Sequence, residues 1–90
     1  MDEERKRVSV TIFGEEYVVK AAASADQVRR LAARVDERMR QIAAANPRLG
    51  TSKLAVLTAM TLADDLQKME EQFERLTRQL EEEWARRQRR

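Results

Sequence analysis

The sequence contains no cysteine and no histidine, and these two absences exclude several classes of protein. Without cysteine the chain forms no disulfides, and without either residue type the usual structural zinc sites are excluded. The same absences exclude catalysis that depends on a Cys thiolate or a His base. Glycine occurs only at Gly14 and Gly50, and neither lies in a phosphate-loop pattern. We therefore expect a non-enzymatic protein that needs no cofactor and no metal.

Long apolar runs and a strong excess of one charge are also missing. No stretch approaches the ~20 consecutive apolar residues of a membrane span, and the charged N-terminal residues are not followed by a signal-peptide apolar region. We therefore expect a cytoplasmic protein without a membrane partner. The net charge is +2 with 38% charged residues, so the surface is mixed in charge and gives little support to nucleic-acid binding.

The N-terminal part of the sequence has the pattern of a β-hairpin. Residues 1–7 mix acidic and basic side chains and are expected to form a disordered arm. The next residues alternate between the two faces of a strand and are rich in β-branched side chains, which predicts strands at about 8–13 and 17–20. A turn at residues 14–16, beginning with the glycine, would join them.

A first helix is predicted at about residues 25–45. Ser24 and Gln27 have the spacing of a capping box at its start. Asn46 precedes the single proline, and the residue before proline is pushed out of the helical region, so the helix is expected to end there.

The last forty residues hold the most informative pattern, since they contain no glycine and no proline. A second helix is predicted from about residue 52 to 88, with Thr51 or Ser52 as its N-cap. Between Leu54 and Leu66 it is apolar on more than one face, so we expect this part to be enclosed by the hairpin, the first helix and a partner.

Apolar residues recur along the second helix in alternating steps of three and four, which is typical of a coiled coil. The predicted oligomer interface consists of Leu62, Leu66, Met69, Phe73, Leu76 and Leu80. A parallel pair would place Asp65 opposite Glu70 of the partner, a contact between like charges, so the direction of the helices stays open. We expect a homo-oligomer, either a dimer or a dimer of dimers.

These elements predict the α+β fold class. An N-terminal β-hairpin plus helix would form a small head over residues 8–66, which includes the start of the second helix. Residues 67–90 would continue that long C-terminal helix as an oligomeric coiled-coil tail. A monomer whose second helix folds back on the first is less favourable, because the first helix is too short to cover the apolar residues beyond Met69.

Two kinds of charged feature in the sequence are candidates for functional sites. Adjacent acidic residues such as Asp36–Glu37, Asp64–Asp65 and Glu81–Glu83 diverge around a helix by about 100° per residue, which predicts solvated faces rather than a catalytic pair. The arginines at 86–90 suggest nucleic-acid binding as an alternative function, although they also complement the negative end of a helix dipole.

Several segments occur in the order and spacing of a known family. They are VTIFG at 10–14, VDERM at 35–39, Asn46–Pro47, LAVLTA at 54–59 and LADDL at 62–66. Together these segments resemble the ZapA family, small bacterial proteins that associate with the tubulin-like division protein FtsZ. The resemblance covers nearly the whole chain.

The resemblance implies both an architecture and a function. It implies dimerisation through head and coil, and pairing of dimers into a tetramer with heads at opposite ends. It also implies that the protein crosslinks FtsZ filaments at the division site and that charged head residues contact FtsZ. We select five candidates for their charge and expected exposure: Glu15, Glu16, Arg40, Arg48 and Lys53.

Overall fold

The computed structural model describes residues 6–89, which form two strands followed by two helices. Strand β1 spans Lys6–Ile12, β2 spans Glu15–Ala21, helix α1 spans Ala25–Ala45 and α2 spans Thr51–Gln88. This order confirms the predicted α+β class. Of the expected N-terminal arm, residues 1–5 lie outside the described part, while its last two residues belong to β1.

The hairpin is antiparallel and packs one face on α1. Val8 pairs with Val19 and Val10 pairs with Tyr17 across the two strands. Val8 and Val10 are buried and form the main core with Val28 and Ala32 of α1. Val8 and Val10 are two residues apart and so point to the same side of β1, which agrees with the alternation expected from the sequence.

The turn between the strands differs from the expected one. It consists of Phe13 and Gly14, whose φ angles are 50° and 81°, rather than of residues 14–16. Two successive positive φ angles are typical of a type I′ turn, whose twist matches that of the flanking strands. The glycine is thus the second central residue, and β2 begins at Glu15 immediately after it.

The ends of α1 confirm the predicted boundaries. The Ser24 hydroxyl accepts a hydrogen bond from the backbone N–H of Gln27 at 3.1 Å. At the other end, the backbone N–H of Asn46 donates to Ile42 O, and the Asn46 side chain donates to the same oxygen at 2.9 Å. The Ser24 hydroxyl therefore satisfies a backbone N–H that the helix leaves free, and the Asn46 side chain adds a second donor to a carbonyl of the last turn.

The start of α2 is not capped as predicted. The backbone N–H of Leu54 donates to Gly50 O at 2.9 Å, so Gly50 occupies the N-cap position and Thr51 is already helical. Glycine is acceptable at an N-cap because it takes non-helical backbone angles easily. Leu54 and Thr58 are each only 2% exposed, and the Thr58 hydroxyl donates to Leu54 O at 2.7 Å.

The chain divides into two compact units at Thr58. The first contains the hairpin, α1 and the beginning of α2, and it holds all of the buried residues in the described part of the chain. The second contains the rest of α2. The head at 8–66 and tail at 67–90 are functional divisions and stay predictions. Between residues 6 and 89, neither helix is apolar enough to cross a membrane.

Candidate assembly and partner-binding surfaces

The first candidate surface is a line of apolar side chains on α2. It consists of the six predicted interface residues, which we call the apolar row: Leu62, Leu66, Met69, Phe73, Leu76 and Leu80. Leu62 is half-buried, and the other five are 55–71% exposed. Because helical residues three and four apart lie on the same face, these side chains form one continuous stripe. In the single chain that stripe is open to solvent.

The energetics of the apolar row favour its burial between chains. Burying a side chain of this size contributes roughly 1.5–3 kcal/mol. Association of two chains costs about 4–15 kcal/mol in lost translational and rotational freedom, which opposes the gain from burial. Five such residues from each of two chains together contribute an amount of the same order as that cost or above it, so burial of the apolar row favours association. Large continuous apolar patches are also rare on proteins that stay monomeric.

Polar pairs occupy the face of α2 that lies away from the apolar row. The Lys68 ammonium lies 3.0 Å from Asp64 Oδ2, one helical turn away. The hydrogen bond to Asp64 raises the pKa of Lys68 above its usual value. Gln67 donates to Glu71 Oε2 at 3.4 Å on the same side. Between Leu62 and Leu80 the apolar row and these polar pairs thus lie on different faces of α2, which is what pairing through a single face requires.

Further apolar side chains are exposed outside the apolar row. The stretch Leu54–Leu66 was expected to be enclosed, and its first residue is buried. Val56 and Met60 are nevertheless more than half exposed. The single chain therefore covers only part of this stretch, and the remainder is available to a partner.

The second candidate surface surrounds the hairpin turn. The backbone N–H of Phe13 donates to Asp36 Oδ1 at 2.7 Å, and Arg40 Nε donates to Asp36 Oδ2 at 2.8 Å. The hydrogen bond from Arg40 is the main cause of a lowered pKa at Asp36, and the bond from Phe13 acts in the same direction. The same ion pair raises the pKa of Arg40. One carboxylate thus joins the turn to α1.

Three of the five predicted contact residues either follow the hairpin turn directly or are linked to it through Asp36. Glu15 and Glu16 are exposed directly after the turn, and Glu16 Oε2 accepts from the Ser9 hydroxyl at 2.6 Å. Arg40 is exposed and reaches the turn through Asp36.

The other two predicted contacts lie in a different segment. Arg48 belongs to the connector before α2, and Lys53 belongs to the first turn of α2. Both are exposed. Within residues 6–89, neither forms a hydrogen bond or ion pair with the turn. In the described part of the chain, no hydrogen bond or ion pair therefore links these two candidates to the other three.

Sequence reasoning missed the role of Asp36. The Asp36–Glu37 pair was interpreted as a solvated helix face, but the Asp36 side chain is only 22% exposed and both its oxygens accept hydrogen bonds. One signal was available in the sequence. A Phe-Gly turn lacks the Asn or Asp that usually stabilises a positive φ at the first central position, so it needs support from elsewhere.

The arginines at the end of α2 have a local explanation. Arg86 and Arg87 lie in the last helical turn and are exposed, where cations interact favourably with the helix dipole. Arg90 lies outside the described residues. No aromatic platform for bases accompanies these arginines in the described part of the chain apart from Trp84. The structure thus adds no support to the nucleic-acid alternative.

Comparison with known proteins gives a consistent result. The model of the family described as "Cell division protein ZapA" matches residues 8–90. A protein of that description from Geobacillus sp. (strain WCH70) is 39% identical over 82 residues, which are 91% of this chain and 94% of the relative. Another, from Halalkalibacterium halodurans, is 41% identical over 76 residues, which are 84% of each chain.

A solved structure has the same fold. It is described as a ZapA mutant dimer from Geobacillus stearothermophilus, and it superposes with a TM-score of 0.69 at 38% sequence identity. The match covers 90% of this chain and 94% of that chain. The similarity therefore includes both the hairpin and the long helix that carries the apolar row.

Proposed function

Because the chain belongs to the ZapA family of cell division proteins, we propose that it binds FtsZ and crosslinks or bundles its filaments. Crosslinking of this kind promotes assembly of the division ring. It requires no catalytic step and no cofactor. The proposal places the protein in the cytoplasm at the division site, where the filaments are.

The exposed apolar row is the observation that carries this proposal. A filament crosslinker needs at least two binding surfaces in one particle, and a single chain of this size offers only one head. Self-association through the apolar row supplies the second. We expect a dimer, with a dimer of dimers as the larger form. The solved relative described as a dimer supports this assignment.

Linked heads also explain how weak contacts could hold filaments together. When one head is bound, the second head is held near the filament at a high effective concentration. The combined affinity then exceeds that of either head by orders of magnitude, roughly 10²–10⁴-fold in linked systems. The charged residues Glu15, Glu16, Arg40, Arg48 and Lys53 are the proposed contacts on each head.

The proposed function is tested by sedimentation of assembled FtsZ filaments with and without this protein. We expect the protein to pellet with the filaments and to convert them into bundles visible by electron microscopy. If the protein stays in the supernatant and no bundles form near neutral pH and at moderate salt, the proposal is wrong.

A variant with a damaged apolar row separates binding from crosslinking. Phe73→Glu places a charge in the middle of the row and should dissociate the particle without altering the head. Its heads should still bind filaments weakly but should no longer bundle them. Bundling by a variant shown to be monomeric would contradict the crosslinking mechanism.

A further inference from the structure

We propose that Asp36 is a positioning residue for the FtsZ-binding surface, holding the hairpin turn and Arg40 together in the arrangement that docks on the filament. The inference rests on the proposed function and adds to it which side chain organises the surface. Asp36 acts through its neighbours rather than by touching FtsZ.

The hairpin turn needs such support because of the residue at its first central position. Phe13 has a φ angle of 50°, in the left-handed region. Residues with a large side chain are disfavoured there, whereas glycine, asparagine and aspartate are tolerated. Gly14 satisfies this preference at the second position, but Phe13 does not. The turn by itself would therefore populate other conformations.

Asp36 supplies the missing support from α1. Its Oδ1 accepts the Phe13 N–H at 2.7 Å, and its Oδ2 accepts Arg40 Nε at 2.8 Å. Each oxygen thus holds a different element, one the backbone of the turn and the other a guanidinium on α1. Hydrogen bonds in which a group is charged are shorter and stronger than neutral ones.

The groups held by this carboxylate include proposed contacts with FtsZ. Glu15 is the first residue of β2 and pairs with Ile12, so its position depends directly on the turn. Arg40 is the second hydrogen-bond donor to the Asp36 carboxylate. A surface that is already in its binding conformation loses less entropy when it docks, and so it binds more tightly.

Asp36 itself is poorly placed for direct contact. Its side chain is 22% exposed, whereas the Arg40 side chain is 61% exposed. Both carboxylate oxygens of Asp36 are already engaged within the head. Removing Asp36 should therefore weaken binding by reducing the fraction of heads whose turn is correctly formed.

The first test is filament co-sedimentation of Asp36→Ala as a function of FtsZ concentration. We expect an apparent affinity for FtsZ roughly fivefold to tenfold lower than that of the unmodified protein, because only a fraction of the variant heads would have the turn in its binding conformation. The oligomer mass should not change. Asp64→Ala is the matched control, since Asp64 forms a comparable ion pair with Lys68, four residues away on α2. It should bind like the unmodified protein.

A rescue experiment distinguishes positioning from direct contact. Asparagine adopts positive φ angles more easily than phenylalanine, so Phe13→Asn should stabilise the turn without help from α1. We expect Phe13→Asn alone to bind nearly normally and the double variant Phe13→Asn/Asp36→Ala to recover most of the lost affinity. Failure of the double variant to recover, or loss of binding by Phe13→Asn alone, would overturn the positioning role.

The remaining outcomes are equally decisive. If Asp36→Ala unfolds at the assay temperature, Asp36→Asn replaces it in the same pair of experiments, because it keeps an acceptor oxygen but loses the charge. Normal binding by a folded Asp36 variant refutes this inference and leaves the proposed function standing. Failure of the unmodified protein to pellet with filaments refutes the proposed function itself.

Discussion

The charge of Asp36 links the stability of the head to pH. Its pKa lies below the usual value of 3.8, chiefly because Arg40 donates a hydrogen bond to it and secondly because Phe13 does so. The folded protein therefore binds this proton less tightly than the unfolded chain. The stabilisation is fully present above the unfolded pKa and is lost as pH falls through the folded pKa.

This behaviour is tested by comparing thermal unfolding of the unmodified protein with that of Asp36→Asn. We expect the unmodified protein to melt at a higher temperature, with a difference that is constant between about pH 7 and about pH 5. The difference should shrink as the solution becomes more acidic than the usual carboxyl pKa of 3.8. A difference that persists fully at about pH 2 would show that the Asp36 charge is not its cause.

The same residue shows why part of the candidate site could not be predicted from the sequence. The hydrogen bond from Phe13 to Asp36 joins residues 23 positions apart, so no local pattern contains both. The adjacent Glu37 is exposed, and sequence alone does not distinguish the two acids. By contrast, Glu15 and Glu16 are expected to be exposed because they are charged, and both are exposed in the structure.

Among the secondary-structure elements, the helix boundaries were predicted with unequal success. The α1 boundaries are determined by residues next to the helix, namely Ser24 at one end and Asn46–Pro47 at the other. Such local signals are visible in a sequence. At the start of α2, three residues in a row are acceptable N-caps, Gly50, Thr51 and Ser52, and the choice between them depends on where the connector leaves α1.

The two helix starts provide a matched pair of substitutions. Ser24→Ala removes the hydroxyl that accepts the Gln27 N–H and should reduce the free energy of unfolding by about 1 kcal/mol. Ser52→Ala makes the same chemical change inside the first turn of α2, where Gly50 is the N-cap, and should have little effect. Urea unfolding followed by circular dichroism measures both.

A result in which Ser52→Ala is the more damaging of the two would contradict the assignment of Gly50 as the N-cap. The comparison is informative because both substitutions remove the same oxygen atom and leave the same alanine. Both serines are also exposed, so neither substitution opens a cavity in the core.

For the whole chain, the dependence of oligomer mass on the apolar row is the central prediction. Leu66→Glu should lower the mass observed by analytical ultracentrifugation, because it places a charge within the buried stripe. Gln67→Glu introduces the same side chain one position further along, on the face away from the apolar row, and should leave the mass unchanged. An unchanged mass for Leu66→Glu would remove this residue from the interface.

Self-association should also make thermal stability depend on concentration. A folded state that binds a second copy of itself is stabilised by mass action, so the melting temperature should rise with protein concentration. Phe73→Glu should melt at a lower temperature that does not vary with concentration. If the unmodified protein melts at the same temperature across a hundredfold range of concentration, stability does not depend on assembly.

Helical spacing alone decides which side chains share a face, so the heptad pattern is enough to place the apolar row on one stripe, while its role as the oligomer interface stays a prediction. Phe73 and Leu80, seven residues apart in the sequence, are both exposed in the single chain, as the pattern requires. What the pattern leaves undetermined is how the helices of two chains align. The contact between Asp65 and Glu70 of a parallel partner is unfavourable by only a few tenths of a kcal/mol, which is too little to decide the direction.

The position of Trp84 gives the molecule a built-in optical probe. It is the only tryptophan in the chain, and its side chain is 64% exposed, one helical turn beyond Leu80. Its fluorescence in the isolated chain should therefore resemble that of an indole in water. If a second chain covers the apolar row, the emission shifts to shorter wavelength, so assembly can be followed by dilution alone, without a label and at concentrations far below those needed for sedimentation.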